Sequence, residues 1–397
     1  MHDSAALAAI GVGPRPPGDT PSVMLLVRAN AMFDRMVRPR MTILGRSMSS
    51  FHVCGLVGVT AAVVLANALV LRRGGSPLVM MAIDIAAMVT FLALAMAQKL
   101  LTGEERLVYY QQEIGVMVVA TLLLRALHIA PLLYLDATLL GIGVFLACGR
   151  VGCTLVGCCH GRPHRFGIRY RREHADAGFT PYYVGIRLFP VQTIEAIWVA
   201  FATIGGAWLV WHGAPAGAAL AWYVVLYDCG RFVFELVRGD ADRPYYLGFS
   251  QAQWLSAILL LLVVAAERRG ILPWQTWHAV TTALLIVVMA AMAIARRIIR
   301  SDGATLLHPH HVHEVAGALD ELAVMTSRDD LPVASTSRGV LISAGAAHYS
   351  FSRRGDALTE EAARAMAALV TQLRAISAPT ELLHGGHGVY HLVVRDP

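Results

Sequence analysis

The residues best suited to chemistry lie together in the stretch 148–162, which directly follows a long apolar run. Arg150 carries a permanent positive charge and presents its donors as a fork that fits a phosphate group. Gly149, Gly157 and Gly161 allow the backbone to turn sharply or to approach a bound group closely, although close packing of membrane helices explains such glycines equally well. The stretch predicts an anion-binding loop at the point where a helix leaves the membrane.

The same stretch contains thiols and an imidazole, and their role is open from the sequence. Cys153, Cys158, Cys159 and His160 fit small buried residues, a reactive thiol pair or disulfide, or metal ligands. The spacing is neither C-x-x-C nor a repeated pair. We therefore predict no metal site, and the six cysteines of the chain indicate no disulfide framework.

A second group of charged residues lies on one predicted helix. Tyr227, Arg231, Glu235 and Arg238 follow one another at helical intervals and form a single stripe. A guanidinium and a carboxylate one turn apart form an ion pair, which makes both charges tolerable inside a membrane span. Such a pair leaves Arg238 without a partner, and a bound anion would satisfy it. The alternative is an ion pair that only fixes helix packing.

A third group lies at the start of another predicted helix. Pro190 suits a helix start because it has no N–H to leave unpaired, and Gln192 and Glu195 follow on one face. The helix dipole favours a carboxylate at this place, which explains Glu195 alone but not the two residues together. We include both in the candidate site.

The composition requires membrane helices to position these groups. The chain has 397 residues, of which 56% are apolar and 15% charged, and its mean hydropathy is +0.56. Because about 20 apolar residues cross a bilayer, the sequence predicts an all-α bundle of seven to eight transmembrane helices. The net charge of +6 suits loops that touch anionic headgroups or set the topology. The apolar runs cover residues 53–71, 78–101, 113–129, 131–148, 191–211, 216–237, 252–266 and 277–295.

Other segments flank or interrupt this transmembrane domain, which we place at residues 51–297. For residues 1–50 we predict disorder followed by an amphipathic surface helix. For residues 150–190 we predict a small extramembrane cap. Residues 298–337, with histidines 308, 310, 311 and 313, predict a solvated linker, with metal binding as the alternative. Residues 338–397 predict a small soluble α+β domain, with strands at 339–344, 349–353 and 389–395 and a helix at 358–376.

Four ordered motifs resemble those of the bacterial prolipoprotein diacylglyceryl transferases. The signature loop matches at Gly149-Arg150-Val-Gly, Gly157 and Gly161-Arg162; the next motif matches at Pro190-x-Gln192-x-x-Glu195; the arginine-bearing helix matches at Tyr227, Arg231, Glu235 and Arg238; and the last motif matches at Gly248-x-Ser250-x-x-Gln253-Trp254. Asp136, upstream of the loop, also fits the family pattern.

This resemblance implies an activity and a set of site residues. A member of the family is a multi-pass protein of the bacterial cytoplasmic (inner) membrane that uses no cofactor, no metal and no nucleic acid. It transfers the diacylglyceryl group of phosphatidylglycerol, drawn from the membrane lipids, to the lipobox cysteine of a prolipoprotein, and glycerol 1-phosphate leaves. The implied catalytic residues are Arg150, Arg231 and Glu235. The implied substrate-binding residues are Gly149, Gly157, Gly161, Arg162, Gln192, Glu195, Tyr227, Arg238 and Gln253.

The chain departs from the family pattern at the base that would activate the acceptor thiol. The family has a His-Gly-Gly element in its third span, where this chain reads Tyr109-Tyr-Gln-Gln-Glu113-Ile-Gly115. An attacking thiol must lose its proton, and Glu113 and His160 are the candidate replacements. The eighth apolar run and residues 301–397 also lie outside the seven-span family pattern.

Two other functions are compatible with the sequence. One is a phospholipid-binding homologue that has another acceptor or has lost catalysis. The other is a membrane redox or metal-binding protein built on Cys153, Cys158, Cys159 and His160. The side of the membrane that carries the cap is also open, because the family pattern predicts the outer face whereas the positive loops predict the cytoplasmic face.

Overall fold

The structure, a computed structural model, describes residues 21–43, 45–103, 109–241, 243–298, 305–325, 332–345 and 347–395. The predicted disorder of the first 20 residues lies outside these ranges. The helices are α1 (Pro21–Met36), α2 (Ser50–Arg72), α3 (Pro77–Thr102), α4 (Tyr109–Ala126), α5 (Leu132–Val156), α6 (Arg172–Ala175), α7 (Val191–Trp211), α8 (Ala218–Val237), α9 (Gln251–Arg268), α10 (Thr276–Ile298), α11 (Pro309–Met325) and α12 (Glu360–Leu373). The strands are β1 (Arg40–Ile43), β2 (Arg46–Ser49), β3 (Pro163–Arg169), β4 (Arg187–Leu188), β5 (Tyr245–Tyr246), β6 (Phe249–Ser250), β7 (Val333–Ser335), β8 (Val340–Ala344), β9 (His348–Arg353), β10 (Thr380–His384) and β11 (Tyr390–Val394).

Eight of these helices, α2–α5 and α7–α10, coincide with the eight apolar runs of the sequence. By length and composition, six helices of the described chain are able to cross a membrane: α2, α3, α5, α7, α9 and α10. The other two, α4 and α8, carry ionisable residues that point into the bundle, among them Glu113, Asp228 and Arg231. The predicted polytopic helical bundle is confirmed.

Helix α5 lies at the centre of the bundle and positions the start of the signature loop. It packs against α2, α4, α7 and α8. Small residues make this close packing possible: a Cβ atom on Gly143 would overlap the Thr203 hydroxyl of α7 and the ring of Tyr223 of α8. Such contacts between small residues drive association where lipid gives no hydrophobic gain.

The cap follows α5 and lies on the same face of the bundle as α1 and the C-terminal segment. Its strands β3 and β4 pair antiparallel. Helix α1 lies against this pair, since Asn30 donates to Arg165 O at 3.0 Å and Asp34 lies 2.9 Å from Arg187. At the opposite face, Arg73 donates to Val210 O and Ala214 O. Four bundle helices, α2–α5, lie between α1 and the cap, and four, α7–α10, lie between the cap and the C-terminal segment.

The C-terminal unit is a five-stranded antiparallel sheet with strand order β10-β11-β9-β8-β7 and helices α11 and α12. The predicted strands and helix of this segment are present, and Thr359 caps α12 by accepting from Ala362 N. The sequence prediction missed β10 and β7, and it is wrong in making residues 309–325 and 333–335 part of a linker. Residues 309–325 form α11, because Val312, Val315, Leu319 and Leu322 recur at helical spacing and are buried.

The histidines of α11 do not converge on one point. His311 is fully buried and bonds Leu306 O and the Thr336 hydroxyl. His310 is exposed and pairs with Glu314, and the ring of His313 lies 4.9 Å from that of Tyr182. His311 and His313 contact groups outside α11, whereas His310 pairs within the helix; His311 is not solvated as the linker prediction assumed.

The cap and the C-terminal unit share one hydrophobic core. Cap residues such as Tyr183 and Ile186 belong to the same cluster as Val315 of α11 and Phe351 of β9. The ring of His313 lies against Tyr183, whose own ring lies 5.1 Å from that of His160. The C-terminal unit therefore supports the cap residues that adjoin the signature loop.

Candidate active site

The signature stretch begins within α5, so Gly149 and Arg150 are helical and do not lie in a loop as predicted; the helix ends at Gly157, which is in a left-handed conformation. Gly157 has φ +96°, which only glycine adopts readily. A Cβ atom there would also overlap the ring of Phe179 of the cap. This glycine ends α5 where the chain enters the cap, and Arg150 lies two turns earlier in the helix.

Glu195 joins two of the predicted arginines. It lies in the first turns of α7, and its Oε2 is 3.0 Å from Arg150 Nε of α5. Its Oε1 is 3.4 Å from Arg231 Nη1 of α8. All three side chains are buried, at 1% exposure for Glu195 and 7% for each arginine. The three sequence motifs therefore meet at one point, as the resemblance implies.

Glu235 extends the ion pairs along α8. Its Oε1 lies 2.6 Å from Arg231 Nη2 and 3.4 Å from Arg238 Nη1, which is the pairing that the helical stripe predicts. Arg238 also forms a two-pronged pair with Asp240, at 2.7 and 2.9 Å. The expectation that Arg238 lacks a carboxylate partner is wrong, because the chain turns back after α8 and brings Asp240 to it.

Sequence reasoning missed Asp240 and Arg243. Arg243 contacts Glu235 Oε2 and lies 3.3 Å from Asp240 Oδ2. Both residues lie in the charged turn that follows α8, and the alternation of charges in that turn is the signal that would have found them. We refer to Arg150, Arg231, Arg238, Arg243, Glu195, Glu235 and Asp240 as the arginine network.

The arginine network has one positive charge more than its carboxylates balance. It contains four guanidinium groups and three carboxylates. Among the described residues, the ion-pair partner of Arg150 is Glu195. Although the buried Nε of Arg150 lies close to this carboxylate, it forms no hydrogen bond within the described chain. Because an incompletely paired buried cation is costly, a bound anion with several acceptor oxygens would stabilise this end of the network.

Two neighbouring polar groups also have unused hydrogen-bonding capacity. Gln192 donates to Cys158 O at 2.9 Å, while its buried Oε1 has no partner among the described residues. The buried hydroxyl of Tyr227 likewise has no partner in the described chain. Tyr227 lies close enough to Glu195, Arg231 and Arg150 to interact with their charges. Both residues are therefore placed to contact a molecule bound at the network.

The structure gives other predicted site residues a positioning role. Gln253 and Ser250 form a capping box at the start of α9, and Gln253 Nε2 donates to Phe232 O. Both the oxygen and the nitrogen of this buried amide are bonded within the protein, which gives Gln253 a capping role. Asp136 accepts from Gly217 N and Leu220 N, both at 2.7 Å, and so caps α8 at the far end of the bundle.

The remaining loop residues differ in their surroundings. Arg162 is exposed, and its backbone N–H and Nε bond the carbonyls of Val237 and Arg238 at the end of α8. Gly161 is needed for packing, since a Cβ atom there would overlap Phe189 O. Gly149 faces open space, with nothing within 4 Å of an added Cβ. Of the predicted glycines, Gly149 is the one that leaves room for a close approach.

The two candidate bases lie in different places. His160 is 5% exposed, its Nδ1 bonds Gly161 O at 2.9 Å, and it lies near Asp240 and Arg238 of the network. Burial lowers the pKa of His160, so its ring is neutral and Nε2 keeps its lone pair. Glu113 is buried on α4 in a cluster with Asp228 and tyrosines of α4 and α8, and this cluster adjoins the arginine network at Tyr227 and Arg231.

The cluster around Glu113 lies inside the bundle. Tyr110 of α4 donates to Asp228 of α8 at 2.9 Å and lies 3.0 Å from the Ser256 hydroxyl of α9. The sequence analysis assigned no role to these three residues, although each lies beside a motif that it singled out. Their hydrogen bonds join α4, α8 and α9 and satisfy groups that lipid cannot.

Three thiols of the loop converge beside the arginine network. The Sγ atoms of Cys153, Cys158 and Cys159 all lie within 4.8 Å of one another, and Cys159 lies near Arg238 and Arg150. Hydrogen bonds from the other two thiols, followed by those arginines, hold the pKa of Cys159 well below its usual range. Sequence spacing did not predict this cluster, because the turn at Gly157 creates it.

Fold and site together define a polytopic helical membrane protein with a buried arginine network at the base of an extramembrane cap. Residues 41–267, more than half of the chain, match the family model for prolipoprotein diacylglyceryl transferase. The chain belongs to this family.

Curated relatives support the same assignment over a shorter range. The chain is 29% identical over 131 residues to the phosphatidylglycerol–prolipoprotein diacylglyceryl transferase of Clostridium tetani, covering 32% of this chain and 49% of the relative. It is 32% identical over 130 residues to the enzyme of that name from Dehalococcoides mccartyi, covering 33% and 48%. The chain thus spans about half the length of the curated relatives it matches.

Proposed function

We propose that this protein transfers the diacylglyceryl group of phosphatidylglycerol to the lipobox cysteine of a prolipoprotein in the bacterial cytoplasmic membrane. The observation that carries the proposal is the arginine network, with its excess positive charge and the incompletely paired Arg150. The phosphodiester of phosphatidylglycerol is an anion with acceptor oxygens that the guanidinium of Arg150 is able to bind. Family membership and the names of the relatives support the same reaction.

The network is suited to the charge that develops during transfer. The acceptor sulfur forms a bond to the glyceryl carbon as the bond from that carbon to the phosphate oxygen breaks, and the electron pair leaves with glycerol 1-phosphate. Arg150 and Arg231, held in place by Glu195, would stabilise the growing negative charge on the phosphate. Glu235 fixes Arg231 from the other side, so the donors need no rearrangement during the reaction.

His160 is the better placed of the two candidate bases. It adjoins the network and is neutral, with Nδ1–H donating to Gly161 O and Nε2 available for the proton of the acceptor thiol. Glu113 lies in the tyrosine and acid cluster of α4 and α8 instead. We assign the thiol proton to His160 and a positioning role to Glu113.

The proposal is tested by a transfer assay with purified full-length protein. The donor is phosphatidylglycerol in vesicles, labelled in its diacylglyceryl group. A lipobox peptide supplies the acceptor thiol. We expect thioether-linked peptide and glycerol phosphate in equal amounts, and no product from a peptide with Ser in place of Cys. Folded protein that binds phosphatidylglycerol but makes no product would refute transfer to this acceptor and favour a lipid-binding homologue, as the missing His-Gly-Gly element allows.

A further inference from the structure

The three loop thiols form a compact site that the proposed transfer reaction does not use. Cys153 lies in the last turn of α5, and Cys158 and Cys159 lie in the turn after Gly157. Cys153 is buried, Cys159 is half-buried and Cys158 is exposed. A small solute therefore reaches the cluster through Cys158, while the other two sulfurs are shielded from bulk water.

The local backbone and charges favour thiolates at this point. Cys159 has φ +53°, a left-handed conformation that a residue other than glycine rarely adopts, and it brings its sulfur to the other two. Arg150 and Arg238 lie close to Cys159, and their positive charges favour the deprotonated sulfur that binds metals.

We propose that Cys153, Cys158 and Cys159 form a three-thiolate site for a thiophilic d¹⁰ cation such as Zn²⁺. Zinc binds sulfur at about 2.3 Å, which places three sulfurs around one ion about 3.8–4.0 Å apart. The present triangle, with all separations within 4.8 Å, reaches that geometry by a shift of about 1 Å or less. Among the described residues the group has three members, so water completes a tetrahedral zinc site.

Binding has defined chemical consequences. Each thiol loses its proton as its sulfur binds the cation, and Zn²⁺ with three thiolates adds one negative charge beside Arg150 and Arg238. The ion also ties the last turn of α5 to the first turn of the cap. The proposal does not depend on diacylglyceryl transfer, and its test uses no activity assay.

The test measures zinc on the purified full-length protein. Reduced protein in detergent is equilibrated with Zn²⁺ alone, dialysed, and analysed for metal per chain by mass spectrometry. We expect about one zinc per wild-type chain and about a tenfold or larger loss in Cys153→Ser and Cys159→Ser. Cys148→Ser and Cys229→Ser, which remove half-buried thiols outside the cluster, serve as matched controls and should keep the zinc.

A second measurement uses only the wild-type protein, so its result does not depend on whether the variants fold. Cys158 is exposed, so the wild-type protein is treated with a maleimide with and without Zn²⁺, and labelling of this residue is measured by peptide mass spectrometry. Zinc should block the labelling of Cys158 and leave that of control thiols unchanged. Wild-type protein that retains no zinc, Cys158 that labels equally with zinc present, or an isolated disulfide between two of the three cysteines would each overturn the proposal.

Discussion

The two ends of α5 each carry one buried charged residue, and the two residues are satisfied to different degrees. Asp136 at one end accepts two backbone hydrogen bonds of 2.7 Å from the start of α8. Arg150 at the other end has Glu195 as its carboxylate partner in the described chain, and its Nε makes no hydrogen bond. Both positions fit the family pattern, yet the carboxylate is fully hydrogen-bonded within the protein whereas the guanidinium is not.

The difference separates structural charges from functional ones in this bundle. A carboxylate that is fully bonded within the protein contributes to stability and has no capacity left for a ligand. A buried guanidinium with unused donors costs stability until an anion binds. The comparison predicts that changes near Arg150 alter transfer, whereas changes near Asp136 alter stability.

After changes of Arg150 itself, the largest effect is expected for Arg231→Ala. This change removes one of the two cations assigned to the leaving phosphate and leaves Glu195 and Glu235 with one partner fewer. We expect kcat to fall by about a hundredfold to a thousandfold, as when one transition-state donor is lost. The fall in kcat is measured from initial rates of transfer in vesicles. Arg172→Ala, which removes an exposed cap arginine, is the control and should keep its rate.

A smaller loss is expected for Glu195→Gln. The amide keeps the shape of the side chain but no longer holds Arg150 and Arg231 in position by charge. We expect kcat/KM to fall by about tenfold to a hundredfold, a magnitude usual for mispositioned catalytic groups. A rate equal to that of the wild type would show that the network does not orient the arginines.

At the other end of α5, Asp136→Asn should affect stability and spare transfer. The amide retains one acceptor oxygen and loses the other acceptor, so one N–H at the start of α8 is left without its partner. We expect a loss of about 1–2 kcal/mol in the free energy of unfolding, as for other lost helix caps. Thermal unfolding in detergent measures the loss. A transfer rate per folded molecule that falls with the stability would contradict the division between the two ends.

For Gln253→Ala we expect the free energy of unfolding to fall by about 1 kcal/mol or less, because the capping box of α9 loses one of its two reciprocal bonds. The resemblance implies that Gln253 binds substrate, whereas the structure gives it a capping role. An unchanged KM for phosphatidylglycerol supports the capping role. A KM raised about tenfold or more would restore the substrate-binding assignment.

The packing of the C-terminal unit on the cap should weaken in mild acid. Burial lowers the pKa of His308 from 6.5 to about 4, and burial also lowers that of His311. The unfolded chain then binds protons first, so stability is lost as the pH falls below about 6.5 toward the folded pKa. Hydrogen exchange of β7 and β8 at pH 5 and pH 7.5 measures this. Equal exchange protection at both values would show that these histidines do not couple the packing to pH.

The membrane bundle and the Arg231–Glu235 pair of the arginine network could be predicted from the sequence, because both depend on local patterns. Apolar runs of span length define helices, and the spacing of Arg231 and Glu235 places them one turn apart. Arg150 and Glu195 were singled out by residue type and position, but only the family resemblance joins them to Arg231 in one site, because nothing local shows that α5, α7 and α8 meet.

Features that depend on turns and long-range packing were not predictable in this way. Asp240 and Arg243 reach the network only because the chain folds back after α8. Cys153, Cys158 and Cys159 meet because Gly157 ends α5 in a left-handed turn. The shared core of cap and C-terminal unit depends on contacts such as Tyr183 with His313, between residues distant in the sequence.

The central claim is that Arg150 binds the phosphate of the lipid donor. It is tested most directly by comparing transfer from labelled phosphatidylglycerol to a lipobox peptide in wild type, Arg150→Lys and Arg150→Ala, each confirmed as folded. We predict that Arg150→Ala loses about a thousandfold in kcat/KM and that Arg150→Lys recovers part of it, since lysine keeps the charge without the fork. A rate for Arg150→Ala within about threefold of the wild type would contradict the account.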